Sequence, residues 1–328
     1  MCIRDRLQVD AAALLLLNPH AQTLEYGAGI GFKTRAIEDS VIRVGAGPAG
    51  IAALKRRTVQ IDDMNDPEID FIRQSLIAEE DFRGYCALPL IAKGQVKGVL
   101  EIFRKDKPVT DKEWIEFLEA LAVQAAIAID NATLFNELQA SNTELIIAYD
   151  STIEGWGHAL ELRDKETEGH TQRVTELTVR IARIYGLSEK EIVHIRRGAL
   201  LHDIGKMGIP DSILLKDGPL SPEEEEIMHN HPTYAFEMLY PIAYLRPALD
   251  IPYCHHEKWD GTGYPRGLEG EQIPLAARIF SMADIWDALI SERRYHEAWP
   301  RKKVEEYIRS RAGTQFDPDL VDVFLANV

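Results

Sequence analysis

The stretch Leu200-Leu201-His202-Asp203-Ile204-Gly205-Lys206-Met207-Gly208-Ile209-Pro210 sets an imidazole and a carboxylate side by side at the end of an apolar run, Gly198-Ala199-Leu200-Leu201. A carboxylate can bridge two cations while an imidazole ligates one of them. The pair suits first-row metals such as Fe, Mn or Zn and needs no Cys. A lone His-Asp pair is equally what a capped helix end with a surface Asp looks like, so its surroundings decide.

Outward from this pair the chain reads as helix after helix from about residue 148. Asp164-Lys165-Glu166-Thr167-Glu168-Gly169-His170 leads into a helix over Arg173–Tyr185, closed by Gly186. Ser188 and Glu191 form a capping box for the helix that runs into His202-Asp203. Ser221-Pro222-Glu223-Glu224 opens another, with Ser as N-cap and Pro in the first turn. No convincing strand is present, so this half is expected to be all-α. Along it lie eight residues of ligand type: Glu166, His170, His202, Asp203, His231, His255, His256 and Asp284. Any one His alone is more often a surface or satisfied core residue. Five of the ten His falling in such a series is harder to dismiss.

His202-Asp203-Ile204-Gly205-Lys206 and His255-His256-Glu257-Lys258-Trp259-Asp260-Gly261-Thr262-Gly263-Tyr264-Pro265 resemble the two signatures of the HD-GYP family, metal-dependent phosphohydrolases that cleave cyclic di-GMP. RDKETEGHTQRV, ARIFSMADIWDALISERRY and Ala312-Gly313-Thr314-Gln315-Phe316-Asp317-Pro318 extend the resemblance over residues 148–328. It implies metal ligation by His170, His202, Asp203, His231, His255, His256 and Asp284, with Asp203 bridging. Glu166 matches a position that binds a third ion in some members, so two or three divalent ions, Fe or Mn, are implied. The implied chemistry is metal-assisted phosphodiester hydrolysis. Asp203 and Lys206 are its catalytic groups, and Lys206, Gly263, Tyr264, Pro265, Arg293 and His296 contact substrate. Tyr264 would line the guanine pocket, whereas Asp287 reads as a supporting residue rather than a ligand. The chain departs from the family pattern at Arg294, where Pro is common, at His296, where a basic residue is common, and at Ala235, where Gly is usual.

The formal net charge of −16 argues against nucleic acid or an anionic membrane surface as partner. Cys2, Cys86 and Cys254 are odd in number and show no CxxC spacing, which implies a reducing compartment, the cytoplasm by default. No apolar run approaches a membrane span, and none is followed by a signal-peptide cleavage pattern. Met1–Arg6 fits neither a strand nor an amphipathic helix and is set aside.

The first half alternates short apolar bursts over residues 7–30 with a turn at Asn18-Pro19, a hairpin pattern. Val44-Gly45-Ala46-Gly47-Pro48-Ala49-Gly50 lacks both a P-loop Lys and GxGxxG and reads as a turn before a short helix. Strands Tyr85–Ile91 and Gly98–Phe103 flank the turn Ala92-Lys93-Gly94-Gln95. Thr110 and Glu113 form a capping box for a long helix. This order resembles a GAF domain over residues 7–135, implying a sensor or a dimerisation platform. The opening helix of that fold is missing before Leu7, as in a truncated domain.

On the long helix Trp114, Leu118, Leu121, Ala125, Ala128, Ala132, Phe135, Gln139, Asn142, Leu145, Tyr149, Thr152, Trp156 and Ala159 recur at spacings of four and three. Up to about Ala132 the pattern is expected to pack on the GAF sheet. Beyond Phe135 it reads as a parallel two-stranded coiled coil joining two copies. The expected fold class is multidomain α+β: a GAF-like α/β domain at 1–132, a connecting helix at 133–150 and an all-α HD-GYP domain at 151–328. Three activities compete: hydrolysis of cyclic di-GMP, hydrolysis of another cyclic dinucleotide such as cyclic GMP-AMP, and a non-catalytic adaptor. Partners implied are cyclic di-GMP, a second copy and diguanylate-cyclase-type proteins.

Overall fold

Buried and half-buried residues alternate along Ala11–Asn18 (β1), so Ala11, Ala13 and Leu15 face one core while Ala12 and Leu14 face another. The computed structural model describes residues 9–66, 71, 73, 80–106, 112–164, 169–292 and 298–328. These fall into two compact units that divide between Asn142 and Thr143.

The first unit is a six-stranded antiparallel sheet in the order β3-β2-β1-β6-β5-β4. Thr23–Ile30 (β2) returns from β1 across the Asn18-Pro19 turn, as expected, and pairs with Val41–Arg43 (β3). The glycine-rich segment is more than a turn, because the helix α1, Gly47–Lys55, begins inside it with Pro48 in its first turn. Val59–Ile61 (β4), Gly84–Ala92 (β5) and Gln95–Arg104 (β6) complete the sheet. The β5–β6 turn puts Lys93 and Gly94 at φ 49° and 76°, and two positive φ values in a two-residue loop match the twist of the strands. Both faces of β5 are covered, which explains its continuous apolar sequence. Tyr85 and Ala87 join the core beneath α1, while Cys86, Leu88 and Leu90 pack under the long helix.

That long helix, α2, runs Lys112–Asp164. Leu118, Ala122 and Ala126 are buried on the sheet, and Lys93 and Lys97 hold Asp130 at 3.0 and 2.7 Å. Of the early seam residues expected to pack on the sheet, Leu118 is buried and Trp114, Leu121 and Ala125 are half-buried, whereas Ala128 and Ala132 are exposed, because the buried stripe runs through Ala122 and Ala126 instead. From Phe135 to Ala159 the expected seam residues are all exposed. By length and composition α2 is apolar enough to cross a bilayer, against the expectation that nothing here is. Acids interspersed along α2 interrupt each apolar run, so the composition emerges only over the length of the helix. The Thr110 cap, the missing first GAF helix, Glu166, Arg293 and His296 lie outside the described residues.

The second unit contains helices and, among the described residues, no strand beyond two isolated bridges. His170–Ile184 (α3), Glu189–Leu200 (α4), Leu275–Ile290 (α8), Arg301–Ser310 (α9) and Pro318–Leu325 (α10) enclose one core around Ile181, Ile279, Phe280 and Phe324. Pro222–Met228 (α5), His231–Leu239 (α6) and Asp250–Cys254 (α7) lie between α4 and α8 in sequence. Ser188 and Ser221 both close capping boxes, with Glu191 and Glu224. The helix expected from Arg173 starts at His170, one turn earlier. A second cluster joins Ile153 of α2 to Leu200, Leu201, Ile204 and Ala235. Arg197 with Asp150, and Arg196 with Glu154, bind the same stretch of α2 to α4.

Candidate metal centre

Helix ends deliver the side chains. His202 and Asp203 follow α4, and His170 and His231 are the first residues of α3 and α6. His255 and His256 follow α7, and Asp284 projects from the middle of α8. A 3₁₀ turn, Ile204–Gly208, carries the chain away from Asp203. A Cβ at Gly205 would lie 1.8 Å from the His231 carbonyl oxygen and 2.6 Å from the Ala235 amide nitrogen. Only glycine lets this turn lie against α6 so closely, and that contact brings Asp203 to His231. Ala235, the departure from the family's Gly, is fully buried at the same contact.

Seven of the eight expected ligands come together in two groups: Asp203, His231, His255 and His256, and then His170, His202 and Asp284. Asp203 joins them. Its Oδ1 lies 3.3 Å from His231 Nε2 and 3.6 Å from His255 Nε2, while its Oδ2 lies 3.1 Å from His202 Nε2. The Nδ1 atoms of His202, His231 and His255 lie 2.8, 2.8 and 3.0 Å from the carbonyl oxygens of Ala199, Met228 and Ile251. A carbonyl only accepts, so each Nδ1 carries the proton and each Nε2 presents a lone pair. The Nε2 atoms of His231 and His255 stand 3.3 Å apart beside a carboxylate oxygen. Three acceptors so close are reconciled only by a proton or a cation. Burial lowers the pKa of His255 although Asp203 opposes it, and burial followed by the charges of His255 and His231 lowers that of His256 well below the ordinary value, which disfavours the proton. The donor set fits octahedral divalent transition metals.

Burial opposes ionisation of Asp203, but His202 and then Lys206 outweigh it and hold the carboxyl well below the usual range. Lys206 Nζ lies 2.6 Å from Asp203 Oδ2 and 3.2 Å from Asp164 Oδ2. His170 is oriented by Asp287, whose Oδ2 is 2.7 Å from its Nδ1, and Arg173 holds the other oxygen at 2.7 Å. Burial raises the Asp287 pKa, yet His170 and Arg173 prevail and bring it to about 2. Its supporting role is as expected.

A cavity of about 460 Å³ opens over the two groups, lined by all seven and by Asp164, Lys206 and Tyr264. Gly263 and Pro265 flank Tyr264 without lining it. Glu257 is buried and accepts from the Arg266 and Leu268 amides at 2.8 and 3.0 Å, which closes the loop that carries Tyr264. The loop rests on the Thr314-Gln315 backbone through the Trp259 and Asp260 amides.

Sequence reasoning missed Asp164, Glu257, Arg163 and His229. Arg163 donates to the carbonyls of Lys206 and Ile209, 2.9 Å each. Asp164 carried a signal: an acid ending a helix opposes the helix dipole and calls for a cation, here Lys206.

Residues 157–320, half of the chain, match the HD domain model, and residues 3–129 match that of the GAF domain. A Vibrio cholerae protein named 3'3'-cGAMP-specific phosphodiesterase 2 is 37% identical over 64% of this chain and 39% of its own length. A Thermotoga maritima cyclic di-GMP phosphodiesterase is 46% identical over 50% of this chain and 45% of its own. The cyclic di-GMP phosphodiesterase response regulator RpfG of Xanthomonas campestris is 40% identical over 59% of this chain and 52% of its own. The chain spans about half the length of these relatives or less. With the HD model covering half of its length and His202-Asp203 at the joint of the two ligand groups, the chain belongs to the HD-domain family and carries a GAF domain in its first half.

Proposed function

We propose that the helical unit hydrolyses cyclic di-GMP to pGpG, and onward to GMP, with Fe or Mn held by the two groups around Asp203. The carrying observation is the carboxylate of Asp203, one oxygen turned to each group. Divalent cations bound there supply Lewis-acid polarisation of the phosphate and lower the pKa of water. The chain's own part begins with His202, His231 and His255, whose Nδ1–H anchors fix Nε2 toward the cavity. Lys206, at its wall, adds a fixed cation beside the substrate phosphate. Glu166 belongs to the proposal as ligand of a third ion, and Arg293 and His296 as phosphate contacts.

Hydrolysis of 3'3'-cGAMP is the second reading, favoured by the relative of that name that aligns with 64% of the chain. Protein purified anaerobically, assayed for metal content and given each dinucleotide in turn, decides between them. Faster turnover of cyclic di-GMP with two or more ions per chain is expected. Faster turnover of 3'3'-cGAMP supports the second reading, and metal-replete protein inactive on both defeats the two together. We infer further that the exposed face of α2 pairs with a second copy, that cyclase-type proteins are partners, and that the setting is cytoplasmic, where buried Cys86 and Cys254 remain thiols.

A further inference from the structure

Tyr264 stands between two imidazoles. His229 stacks on it with centroids 3.9 Å apart and planes 23° apart, and His256 stacks at 4.7 Å and 25°. One face of a phenol ring has no room for two near-parallel rings at those separations, so the imidazoles cover opposite faces. His256 belongs to the group around Asp203. His229 belongs to neither group and lies exposed at the end of α5. The His229-Asn230-His231 segment therefore sends one ring to the outer face of Tyr264 and the next to the ligand cluster. His231 meets the Tyr264 ring edge-on, 6.4 Å away at 82°.

A ring covered on both faces offers only its edge and its hydroxyl. Tyr264 lines the cavity, and its hydroxyl feels the charges of Asp203, Lys206 and Asp284. A phenol hydroxyl carries its own proton and can donate it from this edge.

We propose that His229 is a positioning residue that closes the outer face of Tyr264, so that Tyr264 meets the substrate through its hydroxyl and not by stacking on a purine. The inference rests on the phosphodiesterase reading above. The phenol O–H then donates to a phosphate oxygen next to Lys206. Purine recognition falls to other parts of the cavity.

Four variants of the full chain, loaded with Mn²⁺ and assayed on cyclic di-GMP and 3'3'-cGAMP, test it. Tyr264→Phe keeps the ring and loses the hydroxyl, so kcat should fall roughly ten- to a hundredfold, as loss of a hydrogen bond to a charged group implies. His229→Ala should lower kcat by about three- to tenfold, the size of a lost aromatic pair, while His229→Phe restores it. In the Tyr264→Phe background His229→Ala should cost nothing further, since the hydroxyl it positions is gone. With 3-fluorotyrosine incorporated, the resonance missing from Tyr264→Phe should shift in His229→Ala and return in His229→Phe.

Tyr264→Phe at wild-type rate would overturn the proposal in favour of stacking. So would His229→Ala with unchanged rate and resonance, or with lost metal, which marks a structural role. Wild-type protein inactive on both dinucleotides would instead overturn the phosphodiesterase reading itself.

Discussion

Asp287 stands behind His170, outside the lining of the cavity over the ligand groups, yet it governs two measurable properties. It fixes the ring of His170 from behind, and removing such a partner typically costs about 10- to 100-fold in metal affinity. Asp287→Asn should lose that much Mn²⁺ affinity in a titration while the fold survives. The same carboxyl has its pKa depressed from 3.8 to about 2 in the folded chain. A depressed folded pKa gives stability that is present above the unfolded value and lost as pH falls through the folded one. At about 1.4 kcal/mol per unit, the apoprotein should lose on the order of 2 kcal/mol between pH 4 and pH 2. Chemical denaturation across that window should show the loss in wild type and a flatter profile in Asp287→Asn.

At the scale of elements, the turn Ile204–Gly208 and helix α6 are fitted to each other through Gly205. Gly205→Ala forces a Cβ to within 1.8 Å of a backbone oxygen, so either the turn or α6 must move. Overpacking of this kind costs typically about 1–3 kcal/mol, and here the shift also parts Asp203 from His231. Thermal unfolding and metal content should therefore fall together. Along α2 the exposed residues Leu134, Leu138, Ser141, Leu145, Ala148 and Thr152 keep an unbroken four-three repeat. The seam expected from the sequence breaks step, with two spacings of three at Gln139, Asn142 and Leu145, and a three-residue insertion overwinds a coiled coil. Leu138→Asp with Leu145→Asp should convert a dimer to monomer in sedimentation; an equally tight dimer would exclude this face.

How much of this was legible follows from what each signal depends on. The hairpins, the Ser188–Glu191 capping box, the Ser221 cap and the His202-Asp203 and His255-His256 pairs are local, set by residues a few positions apart. The start of α3 at His170 was read late because Gly169, at φ 73°, opens it without a side-chain cap. The face of α2 that meets the sheet depends on tertiary packing, so the sequence seam mixed inward and outward residues. His229 was passed over because only the fold brings Tyr264 onto it.

For the whole molecule, separate cores predict separate behaviour. The first unit is held by its sheet and two apolar layers, and the second by helices whose ends converge on the ligand groups. Metal bound only by the folded second unit stabilises it by about 4 kcal/mol at a thousand times its dissociation constant. Calorimetry should show two transitions, with chelator lowering one and leaving the other in place. A chelator that moves both equally would mean the units unfold as one.

Arg163 and Asp164 end α2 and also hold the turn after Asp203, through two carbonyls and Lys206. The last turn of the connector is thus wall as well as shaft. Sliding it by one residue, about 1.5 Å along and 100° around, would take both side chains off their partners. No slack segment stands between strain in that shaft and the carboxylate at the centre of the site. Such a connector resembles a key in a lock barrel, since the teeth that would turn the mechanism are the ones that hold it.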